Sequence, residues 1–308
     1  MSTIICAGRC YTDLVFTGLD RLPEAGREHY GKAITLAPGG GAFITAAHLA
    51  GLGQRVVLAT ALGDDAVSRA MRAQIERAGA ELLAETFQDG PQLTVSLAIG
   101  EDRAMVTHRA GPAVPATLRA RLRAATHLHL AELATLLEAP WLLPAARDAG
   151  CTVSLDVAWD DAALADPRAR ALAGAVDLLL PNEAEAEALG GSADTVAQLD
   201  VLAANGAVVA IKRGAQGAAC RAGGQTWWAD ALPASVVDAT GAGDAFAAGF
   251  LDAWLAAGDP AAALARGIAA GTLAVAQPGG ATRVPDRPSL LRLAAQVTVR
   301  ALPVRKRA

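Results

Sequence analysis

The amino-acid sequence predicts an α/β protein with a mostly parallel sheet and a small antiparallel sheet attached to it. Two patterns and the chain length support this. From about residue 120, short apolar runs alternate with Ala-rich helical segments, as expected of βαβ units whose strands are buried on both faces. Earlier in the chain, apolar and polar residues alternate in short pieces broken by Gly and Pro, as antiparallel strands with one exposed face do. At 308 residues the chain can bury about three quarters of its unfolded surface, enough for one large core or two unequal domains.

The first strand is expected near TIICAGRC and joins RVVLATALG (55–63) in the main sheet. The pieces TDLVFTG, REHYGKAITLA, LTVSLAIG and RAMVTHRAG form the smaller sheet, from about 12–37 and 93–111. They cannot make a large core of their own, so they are expected to act as a lid. The main sheet continues through THLHLAEL (126–133), TVSLDVA (152–158), VDLLLP (176–181) and AVVAIKRG (207–214). A strand-like SVV then leads through Asp238 and Thr240 into a helix with Phe246, Phe250 and Trp254 on its apolar positions. The domain is expected to span 1–300, followed by a basic tail, 301–308.

Composition excludes several partners. The net charge is −4 and the basic cluster is confined to the terminal RKRA, so no nucleic-acid partner is expected. Although 53% of residues are hydrophobic, charged residues interrupt every apolar run before the ~18 residues a membrane span needs. The N-terminus opens without a basic segment and reads as a strand, so a cytoplasmic location is expected. Cys6, Cys10, Cys151 and Cys220 form no CxxC pair and read as buried thiols. His127 and His129 are expected to face opposite sides of their strand, and without an HExxH pattern they do not suggest a metal site.

The chemistry concentrates in DATGAGDAFAAGF (238–250). A helix starting near Gly241 to Asp244 presents unsatisfied N–H groups and about half a positive charge, and glycine lets an anion approach the backbone closely. Asp244, in the first turn, is placed to accept a proton from an attacking hydroxyl beside a transferring phosphoryl group. The alternative is that Asp244 merely caps the helix. Neither this stretch nor APGGGAFITAAHLAGLG has GxGxxG spacing, and no GKS or GKT follows, so dinucleotide and P-loop sites are not indicated.

DATGAGDAFAAGF resembles the C-terminal signature of the PfkB/ribokinase family of sugar and nucleoside kinases, D-T-x-G-A-G-D. PGGGAFITAAHLAGLG (38–53), PNEAE (181–185) and IKRGAQG (211–217) are similar to its Gly-Gly signature, its N-x-x-E motif and its nucleotide-side turn. The resemblance implies a ribokinase-like three-layer α/β/α core with a mostly parallel sheet and a small antiparallel β lid, with ATP as donor and Mg²⁺. It implies Asp244 as base and the backbone of Gly241, Ala242 and Gly243 as anion hole. Asn182 and Glu185 would organise Mg²⁺ through water, Lys212 or Arg213 would reach the phosphates, and Gly214 and Gly217 would shape the nucleotide pocket. Asp238 and Thr240 stand where some members hold a monovalent cation such as K⁺.

At the acceptor end the resemblance points to Asp13 as hydroxyl ligand and to Gly39, Gly40 and Gly41 for close approach. The family's frequent Asn falls on Ile44, beside the bulky Phe43, which could stack on a base. Ala158 and Asp160 replace the Asn and Arg of a D-x-N-x-R pattern found in several sugar-acid kinases. Arg103 and Arg109 are candidates for a charged acceptor group, and Glu132 for a hydroxyl. The acceptor readings are therefore a small sugar or sugar-like molecule, or a nucleoside; a catalytically silent metabolite binder is the reading from another class. An exposed apolar lid face would support a homodimer.

Overall fold

The structure, a computed structural model, describes residues 2–99 and 102–302, with residues 102 and 103 by their backbone alone. In chain order the strands are β1 (Thr3–Ala7), β2 (Tyr11–Leu19), β3 (Ala33–Gly39), β4 (Arg55–Gly63), β5 (Glu81–Phe87), β6 (Leu93–Ile99), β7 (Asp102–His108), β8 (His127–Leu130), β9 (Thr152–Leu155), β10 (Leu178–Leu179), β11 (Val208–Lys212), β12 (Ala218–Ala222), β13 (Gln225–Ala229) and β14 (Val299–Ala301). The large sheet has the order β14-β13-β12-β11-β10-β9-β8-β1-β4-β5. From β11 to β5 every pairing is parallel, and β12 to β14 add antiparallel strands at one edge.

Helices cover both faces, so β1 is apolar from Ile4 on: Ile5 and Ala7 enter one core layer, Ile4 and Cys6 the other. The second layer lies under the helices Gly41–Gly51 and Ala242–Ala257, which carry the candidate site at their first residues. Helix Ala242–Ala257 packs closely on helix Pro260–Val275 because glycines stand at the crossing. A Cβ on Gly249 would come within 2.4 Å of the Arg266 carbonyl oxygen, and one on Gly267 within 2.8 Å of the Phe246 ring. Phe246, Phe250 and Trp254 stack along one stripe of the first helix with centroids 6.0 and 6.1 Å apart.

The smaller sheet has the order β3-β2-β6-β7. Its outer pairs are antiparallel, but the central pair, β2 with β6, is parallel, because the chain passes through the core between them. Of REHYGKAITLA only residues 33–37 are strand, because the pairing of Ala33–Gly39 with β2 ends at Ala33. SVV is not a strand either: the Val237 and Asp238 N–H groups both donate to the Val275 carbonyl, and the segment stays solvent-facing coil. β14 carries the chain to Ala301, and residues 303–308 of the expected tail lie outside the described residues.

His127 and His129 share one face rather than opposing each other. A strand returns its side chains to the same face every second residue, and both imidazoles lie 2.8 Å from the Ser154 hydroxyl. The four cysteines are buried and free. Among the described residues no helix is long and apolar enough to cross a membrane.

The helical layer is pinned by Asp252, whose carboxylate is fully buried. It accepts from Gln54 Nε2 at 2.7 Å, Arg266 Nη1 at 2.6 Å and Arg287 Nη2 at 2.6 Å, joining three segments distant in sequence. Both arginines retain some exposure, so deleting the acid leaves them reachable by water rather than stranded. Asp252→Ala should therefore cost about 1.5–3 kcal/mol, the worth of hydrogen bonds to a charged group, measured by urea unfolding with an unchanged m-value.

Candidate active site

Two helix N-termini converge at the C-terminal end of the parallel strands. Helix Ala242–Ala257 begins after Gly241, whose φ of 72° is left-handed and comfortable only for a residue without Cβ. A Cβ there would also lie 2.6 Å from Gly280 Cα and 2.9 Å from Ile44 Cδ1. Ile44 thus supports the turn from beneath. Asp244 makes no side-chain cap for its helix. Its Oδ1 would stand 2.7 Å from a Cβ on Gly41, the first residue of helix Gly41–Gly51.

The neighbouring glycines serve acids in the same way. A Cβ on Gly39 would fall 1.9 Å from Asp13 Oδ2, and one on Gly40, at φ 88°, 2.5 Å from the Arg9 carbonyl oxygen. Gly39 and Gly41 therefore clear space for two carboxylates, one from β2 and one from helix Ala242–Ala257.

Below the turn lies Lys212, at the end of β11. Its Nζ is 2.7 and 2.6 Å from the two oxygens of Asp156, which follows β9 and is buried. The same Nζ would be 3.2 Å from a Cβ on Gly243, so the ammonium sits against the Gly241–Gly243 turn. Ala158, at φ 51°, is a non-glycine residue in the left-handed region, and strain of this kind persists where its surroundings enforce it. The backbone of residues 157 and 158 bonds to Asp156.

Asn182 and Glu185 form a reciprocal cap at the start of helix Glu183–Gly190. Asn182 N and Nδ2 donate to Glu185 Oε2 and Oε1 at 2.8 Å each, and Glu185 N donates to Asn182 Oδ1 at 2.9 Å. Glu185 is only 3% exposed.

Three carboxylates thus share one lysine. Burial raises the Asp156 carboxyl, against the pull of the Lys212 ammonium, and burial likewise raises Glu185. Burial alone would lower Lys212, but Asp156 and Glu185 hold it above its usual range. Burial, followed by the like charge of Asp156, pushes Asp244 up to about 7, with Glu185 and Asp13 adding and Lys212 opposing. A carboxylate titrating there is matched to proton transfer near neutral pH.

Beside the turn opens a cavity of about 610 Å³ bounded by Lys212, Gly214, Gly217, Ala242, Gly243 and an apolar wall that includes Phe246 and Ile268. Gly217, at φ 89°, is required: a Cβ would come within 2.0 Å of the Ala229 carbonyl oxygen. Arg213 is outside this lining; it donates to Glu183 Oε1 at 2.9 Å and stacks over Trp228 at 4.8 Å. Asp238 accepts from the N–H groups of Thr240 and Gly279 at 2.8 Å each, tying the approach to the turn.

Other candidates stand apart. Phe43 is 3% exposed and packs in the second core layer. Arg109 donates to Asp160 Oδ2 at 2.7 Å and bonds Tyr11. Glu132 Oε1 accepts from Thr135 Oγ1 at 2.8 Å and lies 3.6 Å from Nη1 of buried Arg9, which also donates to Glu138 Oε2 at 2.7 Å. Arg103 lies in β7, and its side chain is outside the described residues.

Sequence reasoning missed Asp156, Arg9 and Tyr11. Asp156 had a legible signal, a lone acid ending the apolar run VSLD. Arg9 and Tyr11 had none, because only the fold brings them beside Glu132 and Gly40.

The chain matches the family described as pfkB family carbohydrate kinase over residues 1–287. It is 30% identical over 285 residues to an ATP-dependent ribose-1-phosphate kinase of Halopiger xanaduensis, covering 91% of this chain and 94% of that one. It is 32% identical over 248 residues to a 2-dehydro-3-deoxygluconokinase of Bacillus subtilis, covering 76% and 74%. The structure of Arabidopsis thaliana ribokinase complexed with ribose and ATP superposes with a TM-score of 0.80 at 25% identity, covering 95% and 98%.

Replacing Asp156 by Asn removes the like charge that raises Asp244 and frees Lys212 to favour its ionised form. The Asp244 carboxyl should then titrate clearly below about 7, read from carbon-13 shifts of the side-chain carboxyl across pH. Asp156→Ala, which leaves Lys212 buried without that partner, should cost about 3–5 kcal/mol of stability, measured by chemical unfolding.

Proposed function

Because this chain belongs to the pfkB family of carbohydrate kinases and is a sugar kinase, we propose that it transfers the γ-phosphoryl group of ATP to a hydroxyl of a small sugar or sugar-like acceptor. The observation that carries this reading is the position of the Asp244 carboxylate: it lies against Gly41, close to Asp13, in the first turn of the helix that opens with Gly241. Asp13 grips the acceptor through its hydroxyls, and Gly40 keeps the backbone there free of a Cβ. Asp244 takes the proton from the attacking hydroxyl.

The backbone N–H groups of Gly241, Ala242 and Gly243 face the charge that develops on the transferring group. Losing one such donor typically costs about 3 kcal/mol of transition-state stabilisation. Lys212, already placed against Gly243, adds its ammonium beside the turn. Gly214 and Gly217 shape the donor cavity, and Arg213 holds that wall by stacking on Trp228.

Mg²⁺, when bound, neutralises phosphate charge. Glu185 fits a water-mediated role: both of its oxygens already accept from Asn182, so it offers charge rather than an open coordination position. Asp238 and Thr240 are the proposed K⁺ position, held in shape by the Asp238 bonds to Thr240 and Gly279. The burial of Phe43 counts against its stacking on a base, and a nucleoside is the alternative acceptor. Arg109, Arg103 and Glu132 remain as acceptor contacts, and the name of the Halopiger relative places ribose 1-phosphate among the acceptors to try. Four buried free thiols accord with a reducing, cytoplasmic setting.

The partner of this chain is a second copy of itself, joined through the lid. The register places Leu14, Phe16, Ile34, Leu36, Val95 and Val106 on one sheet face, and Val106 is 75% exposed. Val106→Lys should shift the sedimentation profile toward monomer; a wild-type monomer at micromolar concentration would refute the pairing.

ADP release should appear with one pool from a panel of pentoses, hexoses, sugar acids, sugar phosphates and nucleosides, and should fall at least a hundredfold in Asp244→Asn, within the range general-base loss produces. Equal rates in both proteins would remove Asp244 as the base. The wild-type kcat/KM should fall as pH drops below about 7, where Asp244 gains its proton, and level off above it.

A further inference from the structure

The donor cavity divides sharply between its two ends. At the phosphate end stand the Gly241–Gly243 turn and Lys212; the far wall is Leu232, Pro233, Val236, Phe246, Ile268 and Val275. Among the described residues lining it, only Lys212 and Thr272 carry polar side chains. Lys212 is committed to Asp156, and Thr272 donates its hydroxyl to the Ile268 carbonyl oxygen at 2.8 Å. No side chain therefore remains to offer a donor to the edge of a base.

The wall is also open. Val236 and Val237 are 63% and 61% exposed, on coil that runs along the outside of the cavity. The backbone N–H groups of Val237 and Asp238 are already spent on Val275, and Pro233 has none. What backbone remains in this coil is hydrated before a nucleotide arrives, so a contact from it exchanges one hydrogen bond for another. Such an exchange is worth about a twofold to thirteenfold preference.

A site built to hydrogen-bond a ligand rejects an analogue lacking the matching group by about 10⁴ to 10⁵, whereas an apolar slot rejects poorly. This cavity is of the second kind at the base and of the first kind only at the phosphates. We propose that the donor site reads the triphosphate and the flat apolar face of a purine but not the polar edge of the base, so that GTP and ITP serve as donors alongside ATP. The proposal rests on the kinase reading and extends it from one donor to the class of purine nucleoside triphosphates.

Two measurements test it. The first is kcat/KM for ATP, GTP and ITP with the acceptor that the panel identifies. The second is the affinity of the same protein for ADP and GDP by titration calorimetry. The expected result is a spread below about twentyfold among donors and between the diphosphates. A preference for adenine beyond that in either measurement would overturn the proposal and reveal an edge contact. Failure of every donor to support turnover would count against the kinase reading alone, because the two diphosphate affinities still decide between a base-blind and a base-reading cavity.

Discussion

The Lys212 ammonium, buried against the Gly241–Gly243 turn and held by both oxygens of Asp156, is the interaction on which the rest of the site depends. Asp156, Glu185 and Asp244 approach one another at the ends of β9, helix Glu183–Gly190 and helix Ala242–Ala257. Three carboxylates cannot be taken out of water together without a compensating charge. One lysine, reinforced by the helix N-termini and by the backbone of residues 157 and 158, makes the cluster tolerable. It does not make it comfortable, and the remaining imbalance keeps the Asp244 carboxyl near neutrality instead of fully ionised. The pairing that stabilises the cluster thus also sets where the Asp244 carboxyl titrates.

Glycine provides the space in which this charge arrangement exists. Gly39 and Gly41 yield room to the carboxylates of Asp13 and Asp244, and Gly241 lets the turn close on Gly280 and Ile44. Each of these contacts is between backbone and a fixed group, so a methyl group at any of them displaces an acid or opens the turn. The donors and acids are consequently held in place before any ligand arrives, the condition under which electrostatic stabilisation costs no reorganisation during reaction.

The two ends of the site use different physics. At the end proposed for the acceptor, charges are paired between side chains: Arg109 to Asp160, and Arg9 to Glu132 and Glu138. At the donor end, beyond the phosphates, the wall is aliphatic and aromatic, and recognition there is by shape and area, which distinguish weakly.

The sequence by itself determined the parallel sheet, the helix starting after Gly241 and most of the strands of the smaller sheet. Each depends on periodicity or on residues close together in the chain, whose effects are local. RVVLATALG is strand from Arg55 to Gly63 for that reason. Tertiary structure decided what local pattern could not. Phe43 and Ile44 became packing residues because helix Gly41–Gly51 turns that face to the core. β2 met β6 in parallel because the chain crosses the core between them. Asp156 joined Lys212 across a separation of 56 residues, and a contact of that range leaves no trace in the residues on either side of it.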